Sequence, residues 1–216
     1  MIRKNSETLL NTILTYCNAY GFQGVDVDWE YPVLPHVWHA FGRLIKMLQH
    51  ALHGQDVQLG AALSPWGVQL TERARKCFDL VNIMAYDWHK KNKRRHHSEF
   101  YSCHVYCAEY FKKHAFRDKQ MLVGIPFYGK TFDNNGFAFR SYNLLEVNSR
   151  AQNISVYQDR SYYFNGYYMV YSKTAYNLDM GFGGVMIFAG CDDVPREAGL
   201  SLYEAVESAL RDRMSL

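Results

Sequence analysis

The chain has 216 residues, enough to bury roughly 70% of its unfolded surface in one core without disulfide staples. Hydrophobic residues make up 48% and charged residues 21%, a balance that argues against a disordered or fibrous chain. The net charge of +3 is too small to point to nucleic acid as a partner, and no apolar run is long enough to span a bilayer.

In chain order, a helix is predicted over residues 7–19, a strand over 24–30 and a helix over 37–52. A strand follows over 57–64, a short helix over 71–77 and a strand over 80–85. Next come a charged loop over 90–98, a helix over 105–114 and a strand over 121–127. An insertion over 133–166, rich in Tyr, Asn and Phe, breaks the rhythm. The series closes with a helix over 168–178, a strand over 184–189 and a helix over 202–211. The strands are nearly continuous in apolar character, as parallel strands covered by helices should be. Strand alternating with helix predicts a parallel α/β sheet in one domain spanning residues 1–216. The five cysteines, Cys17, Cys77, Cys103, Cys107 and Cys191, form neither a zinc spacing nor a disulfide framework. No metal and no cofactor are expected.

The segment GFQGVDVDWEYP, residues 21–32, carries the chemistry. Asp26, Asp28 and Glu30 alternate along the strand, so all three point to one face, while Val25, Val27 and Trp29 point to the other. Acids stacked about 6.6 Å apart are costly to ionise together. Repulsion and desolvation then keep one carboxyl protonated near neutral pH, available to donate to a leaving oxygen. A solvated strand face or a divalent-metal site is the bland alternative.

This run resembles the DxxDxDxE signature of family 18 chitinases, with Gln23 standing where the first acid is usual. The resemblance implies a TIM (β/α)8-type barrel, of which the five strands match the fourth to eighth. It further implies a substrate-assisted retaining glycosidase for β-1,4-linked N-acetylglucosamine polymers. By the same resemblance Glu30 is the general acid and base, Asp28 orients the substrate's acetamido group, and Asp26 shares a proton with Asp28. FDLVNIMAYD, residues 78–87, is similar to the strand ending in Met-x-Tyr-Asp, which implies substrate contacts from Met84, Tyr86 and Asp87. VGIPFYGKTF, residues 123–132, implies a further contact from Tyr128. GFGGVMIFAGCDD, residues 181–193, resembles the last strand, with Phe188 where the family usually places a Trp platform. Trp66 and Trp88 follow other strand ends and are candidates for extra stacking.

The expected partner is an N-acetylglucosamine-containing polysaccharide. The run KKNKRRHH, residues 90–97, is expected to be a solvated loop, with contact to an acidic polymer as the alternative. The first three strands of the barrel have no counterpart here, so a preceding N-terminal segment or a second chain is expected to complete it. MIRKNSETLL is no signal peptide, and any export signal is expected in that preceding segment. Retention of Glu30 favours an enzyme. The competing readings are a sugar-binding relative without turnover, motivated by Gln23 and Phe188, and a fragment with no activity of its own.

Overall fold

The computed structural model describes residues 2–88, 96–131 and 139–214. Helix α1 (Ile2–Tyr20) leads into strand β1 (Gly24–Asp28), and helix α2 (Pro35–His53) into β2 (Gln58–Leu63). A single helical turn, α3 (Glu72–Arg75), precedes β3 (Leu80–Ile83). A π-helical turn over Phe100–Val105 runs into α4 (Tyr106–Lys113), followed by β4 (Met121–Pro126). Four short strands come next: β5 (Tyr128–Thr131), β6 (Phe139–Ser141), β7 (Ile154–Tyr157) and β8 (Arg160–Tyr163). Helix α5 (Tyr167–Asp179), β9 (Gly184–Phe188) and α6 (Leu202–Met214) complete the order.

The five apolar strands form one parallel sheet in the order β1-β2-β3-β4-β9. This is the helix-covered α/β arrangement of part of a (β/α)8 barrel, with consecutive strands adjacent as right-handed βα units require. Helix α2 shows why the sequence folds this way. Pro35 sits in its first turn, where a missing N–H costs nothing. Trp38, Phe41, Ile45, Leu48 and Leu52 recur at three- and four-residue spacing and are buried against the sheet. Leu59, Ala61, Leu63, Val81, Ile83 and Val123 complete that core from the strands. Full burial of one such aliphatic side chain contributes about 1.5–3 kcal/mol.

The insertion is not a loop. Strands β5 to β8 make a separate antiparallel sheet in the order β6-β5-β8-β7. Its aromatic residues Tyr142, Tyr162 and Phe164 join Ile125, Phe127 and Leu202 in a second core under α5 and α6. Residues 132–138 lie outside the described part.

Helix α5 carries buried polar groups that tie the strand ends together. Lys173 Nζ donates to Ser98 Oγ at 2.8 Å, and Ser98 Oγ donates to the Ala85 carbonyl at 2.7 Å. Asn177 bonds His104 at 2.8 Å and donates to the Val123 and Gly184 carbonyls. Burial lowers Lys173 to about 8 and, with the Lys173 charge, lowers His104 to about 3. The expectation of a solvated loop over residues 90–97 needs correcting at its described end, residues 89–95 lying outside the described part. His97 is buried, and His96 Nε2 sits 2.8 Å from the Phe164 carbonyl. Each imidazole faces inward to a polar partner, His97 to Asp87 and His96 to the Phe164 carbonyl.

Candidate active site

The site stands at the C-terminal ends of the parallel strands, where the loops of a β/α barrel converge. Strand β1 turns Val25 and Val27 onto the core and presents Asp26 and Asp28 on the opposite face. Glu30 continues the row just past the strand. Opposite the acids, Asp26 pairs with Gly60 and Asp28 with Ala62. The size of those two residues matters, because a Cβ on Gly60 would overlap Asp26 Oδ1. Gly124 makes similar room, since its Cβ would lie 2.6 Å from the Ile83 carbonyl oxygen and 3.0 Å from the Tyr86 ring.

Asp26, Asp28, Glu30, Met84, Tyr86, Asp87, Tyr128, Phe188 and Trp66 all line one cleft of about 320 Å³. Trp88 does not. It packs against Trp66 and Tyr106, at centroid distances of 5.5 and 5.2 Å, and rests on the main core, which corrects its placement as a cleft residue. Its ring finds more apolar surface there than an open cleft offers.

The carboxylates fall into two electrostatic classes. Burial raises the Asp26 pKa, the Asn82 amide opposes this by donating to Oδ1 at 3.0 Å, and the Asp28 charge adds to the rise. Burial also raises Asp28, helped by the Glu30 charge. Asp87 goes the other way. Burial alone would raise it, but His97 and Lys130 outweigh that and hold its carboxyl well below the usual range. Lys130 Nζ lies 2.8 Å from Asp87 Oδ1, His97 Nδ1 lies 3.4 Å away, and the Tyr128 hydroxyl donates at 2.8 Å.

The tyrosines around the acids are neutral donors. Tyr31 is pushed up to about 12 by burial and by its hydrogen bond with Glu30. Tyr86 is raised further by burial and the Asp87 charge, and its ring stacks on Phe188 at 6.0 Å with an interplanar angle of 14°. Phe188 keeps 55% of its surface exposed, so one ring face stays open to the cleft.

Sequence reading missed Asn82, Tyr31, Lys130 and His97. A signal existed for two of them. Asn82 on β3 shares the parity of Met84 and Tyr86 in the segment just after it, and Lys130 shares that of Tyr128 along β5. Among the described residues no group of three or more His, Cys, Asp or Glu is arranged to hold a metal ion, and no helix is long and apolar enough to cross a membrane.

Known proteins resemble this chain in sequence and in fold. Probable chitinase 10 of Drosophila melanogaster is 26% identical over 151 residues, covering 57% of this chain and 6% of its own length. A family 18 chitinase from the chitin utilisation locus of Flavobacterium johnsoniae is 25% identical, with a TM-score of 0.77 covering 97% of this chain and 67% of that one. A chitinase from Bacteroides thetaiotaomicron superposes with a TM-score of 0.81 at 19% identity, covering 96% of this chain and 69% of that one. The chain spans between 6% and 33% of the length of the first curated relatives it matches. Residues 2–193 match glycosyl hydrolases family 18, and the chain belongs to that family.

Proposed function

We propose that this chain carries the site of a retaining glycosidase that cleaves β-1,4-linked N-acetylglucosamine polymers by substrate-assisted catalysis. The observation that carries the reading is the row Asp26, Asp28 and Glu30 opening into one cleft with Tyr86, Tyr128 and Phe188. The chitinases among its relatives support the substrate class.

In this reading Glu30 gives its proton to the glycosidic oxygen as the C–O bond breaks. The substrate's own acetamido oxygen attacks the anomeric carbon and forms a cyclic oxazolinium ion. Asp28 accepts the acetamido N–H and balances the positive charge. Its raised pKa and its neighbour Asp26 make it a partner in a shared proton rather than a nucleophile. Tyr86, kept neutral, donates to the acetamido carbonyl. Glu30 then takes a proton from water, which opens the oxazolinium ring and retains configuration. Asp87, held ionised, positions Tyr128 and is not a proton donor. Phe188 offers its open face to the reacting sugar.

The test is hydrolysis of a fluorogenic chitobiose glycoside by the 216-residue chain, with Glu30→Gln alongside. Turnover abolished by the substitution supports the reading. Turnover that survives it removes Glu30 from the mechanism. Oligomer binding without turnover in the parent chain would instead favour a sugar-binding protein, the alternative to which Gln23 and Phe188 point.

A further inference from the structure

Lys173 lies on α5 with none of its surface exposed. Lysine is almost never fully buried unless a partner offsets its lost hydration. A methionine would fill much the same volume without that cost, so the ammonium calls for a use beyond packing. Its bonds show where that use lies. Nζ donates to both the carbonyl and the hydroxyl of Ser98, a residue 75 positions earlier and equally buried.

Ser98 and its neighbour support the end of the strand that carries Tyr86 and Asp87. The Ser98 hydroxyl donates in turn to the Ala85 carbonyl at 2.7 Å, one residue before Tyr86. The His97 carbonyl accepts the Trp88 N–H at 3.1 Å, one residue after Asp87. His97 Nδ1 stands 3.4 Å from Asp87 Oδ1, and its ring packs on the Tyr128 ring at 5.1 Å. The backbone is thus pinned on both sides of Tyr86 and Asp87. Such pinning has work to do, because Asp87 holds φ at 61°, a left-handed conformation uncommon outside glycine. Lys173 and Ser98 themselves stand behind the cleft and do not line it.

We propose that Lys173, acting through Ser98, is a positioning residue for hydrolysis, holding Tyr86 and Asp87 in line with the acetamido group and Tyr128. The proposal rests on the hydrolase reading above. Helix α5 thereby reaches the reacting sugar without touching it. Loss of the relay leaves the cleft formed but sets its donors slightly off line, which a transition state feels more than a bound substrate does.

The experiment replaces Ser98 with Ala, which removes the hydroxyl and leaves Lys173 its bond to the Ser98 carbonyl. Kinetics on a fluorogenic chitobiose glycoside are expected to show kcat lowered about tenfold with KM within about twofold. Val206→Ala, which opens a cavity in the second core away from the relay, is expected to lose stability in urea and keep its kcat. Lys173→Met and the double replacement complete the set. Because the lysine acts through the hydroxyl, the double variant is expected to be no slower than Lys173→Met alone. If Lys173→Met does not fold, Ser98→Ala against Val206→Ala decides. Parental kcat in Ser98→Ala, an equal loss in Val206→Ala, or a double variant slowed by the product of the single losses overturns the positioning role and leaves the hydrolase reading intact. A folded parent chain without turnover overturns both.

Discussion

Two carboxylate environments meet in one cleft, one on β1 and one at the end of β3. Asp26 and Asp28 share one face of the strand, Asp26 takes the Asn82 amide, and both acids hold their protons more tightly than usual. Asp87, a few residues' width away across the sheet, is gripped by Lys130, His97 and Tyr128 and releases its proton more readily. The residue type is the same. Its neighbours decide whether an acid shares a proton or serves as a fixed negative charge.

The harshest way to probe the contrast is to neutralise the acid that ends the β1 row. Glu30→Gln is expected to lower hydrolysis by about 10²–10⁴-fold with little change in stability, checked by turnover and urea unfolding together. A change of less than tenfold would break the division of labour proposed for the cleft. Removing the cation beside Asp87 comes next. Lys130→Met leaves a half-buried carboxylate short of its buried partner and is expected to cost about 2–3 kcal/mol in urea unfolding. That lies below the range for fully buried pairs because Asp87 is 36% exposed.

Gly60→Ala tests the β1 side by steric means. The added methyl competes with Asp26 Oδ1 for the same space, with an expected loss of about 1–2 kcal/mol measured by thermal unfolding.

Opposite pH dependences would sharpen the comparison further. A raised carboxyl pKa means that folding favours the protonated form. Asp26 therefore contributes stability below its ordinary value of about 4, and this is lost as pH rises through the folded value. A depressed pKa means the reverse, so the contribution of Asp87 is present above about 4 and is lost as pH falls. Relative to Asp26→Asn, the parent chain should weaken as pH rises from 4. Relative to Asp87→Asn, it should weaken as pH falls below 4. Each pKa unit corresponds to about 1.4 kcal/mol before solvent screening, and equal slopes in the two comparisons would sink the distinction. The smallest effect is expected at Phe188→Trp. The open ring face gains area without repacking, so stability stays within about 0.5 kcal/mol while KM for chitobiose glycosides falls a few-fold.

The parallel sheet was legible because its strands are unbroken apolar runs between amphipathic segments, and each of the five predicted strands forms. The row of acids was legible because its spacing of two is a local property of one strand. Parity marks the face on which Asn82 and Lys130 stand, but neither they nor His97 reveal their partners locally. Asn82 reaches Asp26 from a position 56 residues away through strand register, which no local pattern encodes. The antiparallel sheet was hidden for another reason. Its strands are only three or four residues long and carry Tyr, Ser and Arg in place of a clear alternation, so the hairpin signal never accumulates. The charge run drew attention to its solvation and away from the two histidines that end it.

Gly60 and Gly124 carry a consequence for how this chain tolerates change. Neither can donate a proton, hold a charge or touch a sugar through a side chain. Each nonetheless leaves its missing side-chain volume to neighbours at the cleft, Gly60 to Asp26 and Gly124 to the Ile83 carbonyl, Met186 and Tyr86. In a library of all single substitutions scored for activity, positions 60 and 124 should prove as intolerant as the acids themselves. Inheritance of the chemistry would then depend as much on two empty places as on three filled ones.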